Sequence, residues 1–285
     1  MRTSTAHLTL APDAAIDLQI HTTYSDGAWT PEQLFDHLVS EQFALAAITD
    51  HDRMDTVAAL QQLALEKRLP LLPAAEISAS WRDEPTDVLC YGFDPDLYDP
   101  LLHVAQEVVR RQLENTREVC DNLGRQGYIF PSEELAALLE TPSAQQPHAL
   151  VALVKKYSYG DASPGKIVRE AGCSFATVDI AAVVHATHCS GGVCLIAHPG
   201  RGDGYIRYDS ELLDQLRQEV SIDGIEVYYP AHTSEQTAMY LEYARRHNLL
   251  ISSGSDSHGP DKKPVKYPAE RSRSLLERVG IKLSS

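Results

Sequence analysis

The sequence predicts an α/β protein whose chemistry gathers at the carboxyl edge of a parallel sheet or barrel, interrupted by a helical insert. Three observations carry this expectation. Short apolar runs alternate with helical stretches over the first hundred residues and again after Gly191-Gly192. Between roughly 100 and 190 helical periodicity takes over. Apolar runs also end repeatedly in a histidine or an acid. Ile16–Ile20 leads to His21 and Ser25-Asp26-Gly27, Leu45–Ile48 to Thr49-Asp50-His51-Asp52, Leu71–Ala75 to Glu76, Val193–Ala197 to His198-Pro199-Gly200-Arg201, and Leu249–Ile251 to Ser255-Asp256-Ser257-His258. Loops after parallel strands meet at one edge, so distant segments that each end in a ligand-type side chain point to one shared site.

The elements follow in order. A strand near 16–20 is succeeded by a turn at Ser25-Asp26-Gly27 and a helix opening at Thr30-Pro31-Glu32-Gln33. Thr30 can cap, Pro31 suits the first helical position and Gln33 completes a capping box. Leu34, Phe35, Leu38 and Val39 supply that helix's apolar face. A strand at 45–49, a helix from Asp55 to about Lys67, and strands near 71–77 and 88–92 come next. The insert, residues 101–190, reads as helices near 98–123, 132–140, 144–157, 164–171 and 177–189, punctuated by Gly124, Pro131, Pro142, Gly160 and Pro164. Residues 1–100 and 191–285 form the site-bearing domain, and the insert is expected to cover the active site. After it come strand 193–197, helix 210–219, strand 224–229, helix 234–247, strand 249–253 and a short final helix near 270–278.

Bulk properties narrow the function. The net charge of −15, from 40 acids against 25 basic residues, argues against an extended nucleic-acid groove. One small phosphorylated ligand remains compatible, because metal ions and a single arginine supply local positive charge. The five cysteines, at 90, 120, 173, 189 and 194, show no Cys-x-x-Cys and read as reduced thiols of a cytoplasmic protein. No apolar run is long enough for a membrane span or signal peptide. Oligomeric state is not legible.

A cluster rich in imidazole and carboxylate suits divalent metals. Bridged ions lower the pKa of a shared water and cancel charge on a phosphoryl group. Each element alone is weak, since a lone histidine at a strand end is usually a structural hydrogen-bonder. Five at five strand ends reverse that reading.

Asp17-Leu18-Gln19-Ile20-His21-Thr22 with Ser25-Asp26-Gly27 resembles the first motif of the polymerase and histidinol phosphatase (PHP) superfamily. Ile48-Thr49-Asp50-His51-Asp52, Glu76-Ile77-Ser78, Ala197-His198-Pro199-Gly200-Arg201 and Gly254-Ser255-Asp256-Ser257-His258-Gly259 resemble its later motifs, in the same order. The likeness is strongest to the stand-alone nucleotide phosphoesterases of that superfamily. It implies a distorted (β/α)7 barrel with two or three divalent metal ions at the carboxyl end. It implies that His21, Glu76 and Asp256 hold one metal, Glu76 and His198 a second, and Asp26, His51 and His258 a third. Arg201 would clamp phosphate oxygens with its planar fork.

Two departures stand out. The family's first motif reads His-x-His, and here the first position is Gln19; where the family carries a histidine eleven residues after Glu76, this chain has Asp87. Both remain candidate ligands through oxygen, and both shift the donor set toward manganese, with iron, magnesium and zinc behind it. The insert has Gln146-Pro147-His148-Ala149 where relatives carry Arg-Pro-His. His148 is a candidate substrate contact, and Glu226, within the strand 224–229, and His232, after it, are further candidates; the proton donor to the leaving group is His232 or an acid near the third metal.

The expected activity is hydrolysis of a phosphomonoester of a small phosphorylated metabolite, a nucleotide or nucleoside 3',5'-bisphosphate, by metal-bound hydroxide with Arg201 and Glu76 in the catalytic set. Two alternatives stay open: a 5'-3' exonuclease on short RNA, and a non-catalytic nucleotide sensor degenerate at Gln19 and Asp87. Histidinol phosphate hydrolysis fits the insert poorly.

Overall fold

The computed structural model describes residues 5–94, 97, 99–157 and 163–284. Two compact units emerge, one from residues 1–105 and 178–285 and one from Gln106–Thr177. The first is mixed α/β. Its strands are β1 (Thr9–Leu10), β2 (Ala15–Ile20), β3 (Leu45–Ile48), β4 (Ala74–Trp81), β5 (Glu84–Tyr91), β6 (Val178–Asp179), β7 (Val193–Ile196), β8 (Gly224–Tyr228), β9 (Leu250–Ser253), β10 (Tyr267–Pro268) and β11 (Lys282–Leu283). Helices α1 (Pro31–Ser40), α2 (Val57–Lys67), α7 (Ile180–Cys189), α8 (Ser210–Glu219), α9 (Ser234–Arg246) and α10 (Arg273–Arg278) intervene. The second unit holds most of α3 (Asp99–Arg125), with α4 (Ser132–Glu140), α5 (Gln146–Tyr157) and α6 (Pro164–Glu170).

A six-stranded sheet runs in the order β6-β4-β5-β7-β8-β9, and a three-stranded sheet in the order β10-β2-β3. The pairs β2–β3, β7–β8 and β8–β9 are parallel, whereas β5 is antiparallel to both β4 and β7. This corrects the expectation of a uniformly parallel edge: the Arg82-Asp83 turn, with φ of 53° and 66°, folds β5 straight back along β4. Isolated bridges link the two sheets, Ile20 to Ser257 on one side and His51 to Glu76 and Ala46 to Leu71 on the other.

Local chemistry explains the elements that carry the site. Helix α1 starts where the capping box places it. The Gln33 amide N–H donates to Thr30 Oγ1 at 3.3 Å, and the Thr30 N–H donates to Gln33 Oε1 at 3.1 Å. Leu34, Phe35 and Leu38 are fully buried beneath it, each worth roughly 1.5–3 kcal/mol of burial, while Val39 is exposed. A Leu38→Ala change would cost about 2–5 kcal/mol. These side chains pack with Ile20, Ala46 and Ile48, and a second cluster built on Leu18, Leu89, Tyr91 and Leu195 fills the other side of the strands.

Three boundaries differ from the sequence reading. The strand expected from 71 begins at Ala74, because Leu71 contributes only a single bridge. The strand expected at 88–92 starts at Glu84, before its apolar run. The last helix assigned to the insert, α7, packs against β4, β5 and β7 and groups with the mixed unit. Its Val183, Val184 and Thr187 are buried, and helical periodicity alone cannot say which partner such a face meets. No helix among the described residues is long and apolar enough to cross a membrane.

Candidate metal centre

The strand ends deliver their polar side chains to one place. Strand β2 leads into His21 and a tight turn in which Gly27 is required: a Cβ there would lie 2.5 Å from the His21 carbonyl oxygen. Strand β3 leads into His51. Glu76 is the third residue of β4 and pairs across to His51. Asp87 arrives from the reversed strand β5, opposite Ser78. His198 follows β7, and Asp256 and His258 follow β9. Two of these residues, His198 and Asp256, have left-handed backbone (φ of 28° and 52°), a conformation that costs energy in a non-glycine residue and recurs at functional sites.

The side chains form three overlapping groups, His21-Glu76-Asp256, His21-Asp26-His51-His258 and His51-Glu76-Asp87, each with ligand atoms within 4.8 Å of one another. His21 Nε2 lies 3.1 Å from Glu76 Oε2 and 3.3 Å from Asp256 Oδ1. The His21 ring is stacked between those of His51 and His258, with centroids at 4.7 and 4.3 Å. His258 Nε2 is 3.2 Å from Asp26 Oδ2. His198 Nε2 is 3.2 Å from Glu76 Oε1 and 3.7 Å from Asp87 Oδ2. Glu76 thus faces imidazoles with both oxygens.

Whether divalent cations fit can be read from the polar atoms. Both ring nitrogens of His21, Nδ1 of His51, Oδ2 of Asp87 and Oε1 of Gln19 are buried without a hydrogen-bond partner. His21 lies close to two carboxylates yet is aligned for a hydrogen bond with neither. Buried polar atoms are rarely left unpaired, and several facing one another is the arrangement a shared cation satisfies. The charge pattern agrees. Burial would lower the pKa of His51, but Glu76 and Asp26 carry it up to about 9. Burial likewise opposes the high pKa of His21, which is sustained by Asp256 and Glu76. Glu76 is held well below the usual carboxylate range against its burial by His51, His198 and His21. The carboxylates thus favour positive charge at the imidazoles, which a metal ion would supply in place of protons. The cluster therefore fits divalent metal ions.

The two departures resolve differently. Asp87 belongs to a group, its pKa pushed up to about 6 by burial and by Glu76. Gln19 turns its amide nitrogen toward the cage and donates to Glu76 Oε2 at 3.0 Å, leaving Oε1 unpaired. In this arrangement Gln19 orients the Glu76 carboxylate through its nitrogen and keeps its oxygen uncommitted.

Arg201 follows His198 by three residues and lies over the Tyr205 ring at 4.5 Å. Its guanidinium makes no hydrogen bond or ion pair among the described residues, while burial opposes its charge and Tyr205, Asp256, Tyr229 and Asp87 together raise its pKa. Tyr205 has no signature in the sequence, yet its ring meets His198 at 5.7 Å and its hydroxyl pKa is pushed up by Asp87 and by burial. Lys262, also without a sequence signal, donates to Asp256 Oδ2 at 2.9 Å, and the Tyr229 hydroxyl donates to the same oxygen at 3.3 Å.

His232 is not available for the substrate or proton-transfer role expected of it. Its Nδ1–H donates to the Val227 carbonyl at 3.1 Å and its Nε2 accepts from the Gly200 N–H at 3.1 Å. Burial, together with the charge of His198, lowers its pKa to about 4, so it is a neutral brace for the turn that carries His198 and Arg201. Glu226 braces the same turn, accepting the His198 N–H at 3.0 Å. His148 belongs to the helical unit, where it is exposed and stands edge-on to Phe175 at 5.6 Å. Gln146 is committed within that unit: it accepts from Thr116 Oγ1 at 2.7 Å and donates to the Thr141 carbonyl at 3.0 Å.

Comparisons with known proteins agree with this geometry. No family model matches the chain. The 3',5'-nucleoside bisphosphate phosphatase of Chromobacterium violaceum is 30% identical over 258 residues, covering 87% of this chain and 88% of that protein. The 5'-3' exoribonuclease Rnm of Escherichia coli is 28% identical over 262 residues, covering 86% and 85%. A solved structure from Bifidobacterium adolescentis, assigned as a metal-dependent phosphoesterase, superposes with a TM-score of 0.72 at 26% identity and covers 94% of this chain and 97% of its own. With the motif order and the imidazole–carboxylate cage on the same strand ends, the chain belongs to the PHP superfamily of metal-dependent phosphoesterases, in its nucleotide phosphatase-like branch.

Proposed function

We propose that this phosphoesterase releases phosphate from a small phosphorylated metabolite, a nucleotide or a nucleoside 3',5'-bisphosphate. The observation that carries the reading is Arg201, an arginine with no ion pair of its own among the described residues, beside a cage of imidazoles and carboxylates. Bound divalent ions would supply an activated water and neutralise phosphoryl charge. His21, Glu76 and Asp256 would hold one ion, Glu76 and His198 with Asp87 a second, and Asp26, His51 and His258 a third. The oxygen-rich set favours manganese. Arg201, stacked on Tyr205, would grip two phosphate oxygens with its fork. His232 and Glu226 hold the His198–Arg201 turn, and Lys262 with Tyr229 fixes Asp256. We further propose that β2, β3, β4, β5, β7, β8 and β9 close as a distorted barrel, a reading supported by the bridges at Ile20–Ser257 and His51–Glu76.

The substrate class draws on the Chromobacterium relative. Exonucleolytic cleavage of short RNA, named for the Escherichia relative, is the second reading, and the charge of −15 weighs against it. The test is phosphate release from a nucleoside 3',5'-bisphosphate, a nucleoside monophosphate and a short 5'-phosphorylated RNA, each with manganese and with chelator. Manganese-dependent turnover fastest on the bisphosphate supports the proposal. Nucleotide release from RNA in preference to phosphate release from the bisphosphate would replace it with the exonuclease, and no turnover on any of the three would favour a sensor.

A further inference from the structure

The amino-terminal ends of β7 and β8 carry a second constellation that the phosphoesterase reading does not use. Cys194 is the second residue of β7, Asp223 immediately precedes β8, and His188 lies in the last turn of α7. Their ligand atoms converge. His188 Nε2 is 2.8 Å from Asp223 Oδ2, Cys194 Sγ is 3.3 Å from the same oxygen, and Cys194 Sγ is 3.8 Å from His188 Nε2. The cage that includes His198 lies past the other end of β7, so the two groups occupy opposite ends of one strand.

We infer that His188, Cys194 and Asp223 form a second site, for a borderline-soft divalent cation of the zinc class. Zinc takes sulfur at about 2.3 Å and nitrogen or oxygen at about 2.0–2.2 Å in a tetrahedron, so its ligand atoms stand roughly 3.3–3.6 Å apart. The three observed separations bracket that spacing, and small side-chain rotations equalise them. The donor set is one sulfur, one nitrogen and one oxygen, which suits zinc and disfavours the magnesium or manganese expected at an oxygen-rich cage. The carboxylate is already oriented, because Asp223 Oδ2 also accepts the Cys194 backbone N–H at 2.9 Å. Cys194 is fully buried, whereas the His188 and Asp223 side chains are 37% and 23% exposed, leaving an open side for entry and for a water as fourth ligand. Binding would release the thiol proton of Cys194 to solvent and tie the end of α7 to the starts of two strands.

Cobalt(II) tests this site separately from the cage, whose candidate ligands include no sulfur. Chelator-stripped protein is titrated with Co²⁺ while the near-ultraviolet sulfur-to-cobalt charge-transfer band is followed. We expect a band that saturates at one equivalent per site, that is lost in Cys194→Ser, and that persists in Cys189→Ser and His198→Ala. His188→Ala, on the solvent side where folding is not at issue, should weaken the cobalt affinity read by this band at least about tenfold. No band at saturating cobalt, a band that survives Cys194→Ser, a band lost in Cys189→Ser (whose sulfur lies 3.6 Å from His185), or an unchanged affinity in His188→Ala would each overturn the assignment and leave a plain His188–Asp223 ion pair.

Discussion

The cage and the belt of acids around it use the same residue types to opposite ends. Asp50 and Asp52 flank His51 in sequence, and both are buried. Asp50 accepts the Thr22 N–H and hydroxyl, each at 2.6 Å, and the Ser25 hydroxyl at 2.8 Å. Asp52 accepts the Ser78 N–H and hydroxyl, each at 3.0 Å. Asp17 accepts the N–H groups of Ser255 at 2.9 Å and Val265 at 2.8 Å. Every one of these carboxylates is spent on shaping a loop. In the cage, by contrast, His21, His51 and Asp87 keep buried atoms that make no hydrogen bond. Burial of an acid therefore does not mark a ligand; an uncommitted lone pair beside other uncommitted lone pairs does.

That contrast can be broken most forcefully at Glu76. Glu76→Gln keeps the volume and removes the charge that faces two imidazoles. Phosphate release should fall by about 10³-fold, and bound metal measured by elemental analysis should fall with it; a variant that retains its metal would erase the distinction between cage and belt. A belt residue should behave more mildly. Asp50→Asn leaves the ligands in place but loosens the turn holding His21 and Asp26, so metal affinity in a chelator competition should drop by about 10–100-fold. Arg201→Lys keeps the charge and loses the fork; kcat/KM should fall roughly tenfold with metal content unchanged.

The smallest effect concerns the brace His232. Its folded pKa of about 4 lies below the ordinary 6.5, so the folded chain binds fewer protons than the unfolded chain between those values. Stability should then be lost as pH falls from 6.5 to 4, by about 1–2 kcal/mol after solvent screening. Denaturant unfolding at pH 7 and pH 4.5 should show a larger drop for the wild type than for His232→Asn. Equal drops would mean that the imidazole is not held neutral.

Much of this arrangement is legible in the sequence because strand ends and metal-type residues coincide. His21, Asp26, His51, Glu76, His198, Asp256 and His258 fall in short motifs directly after apolar runs, and these residues do come together, His198 through its contact with Glu76. The Thr30–Gln33 capping box appears in place. Less legible are features fixed by distant partners. Nothing in Gly224–Tyr229 reveals that His232 will spend both nitrogens on the backbone, since Val227 and Gly200 meet it only in the folded chain. Tyr205 and Lys262 reach the cage from loops without periodicity. The direction of β5 was also hidden, because an apolar run reads the same in either sense and the Arg82-Asp83 turn lacks the glycine that usually announces a two-residue hairpin.

The reversed strand makes the β4–β5 hairpin a ruler of fixed length. Glu76 and Asp87 lie on opposite arms of that hairpin, and the Ile206 N–H, in the loop bearing Tyr205, docks on the Pro85 carbonyl at 3.0 Å. Because side chains alternate faces along a strand, slipping one arm by a single residue would exchange Asp87 for Thr86 or Val88 and carry the docked loop with it. Insertions and deletions, which surface hairpins commonly absorb, should therefore be poorly tolerated between Glu76 and Asp87, and length drift among descendants of this chain should collect elsewhere.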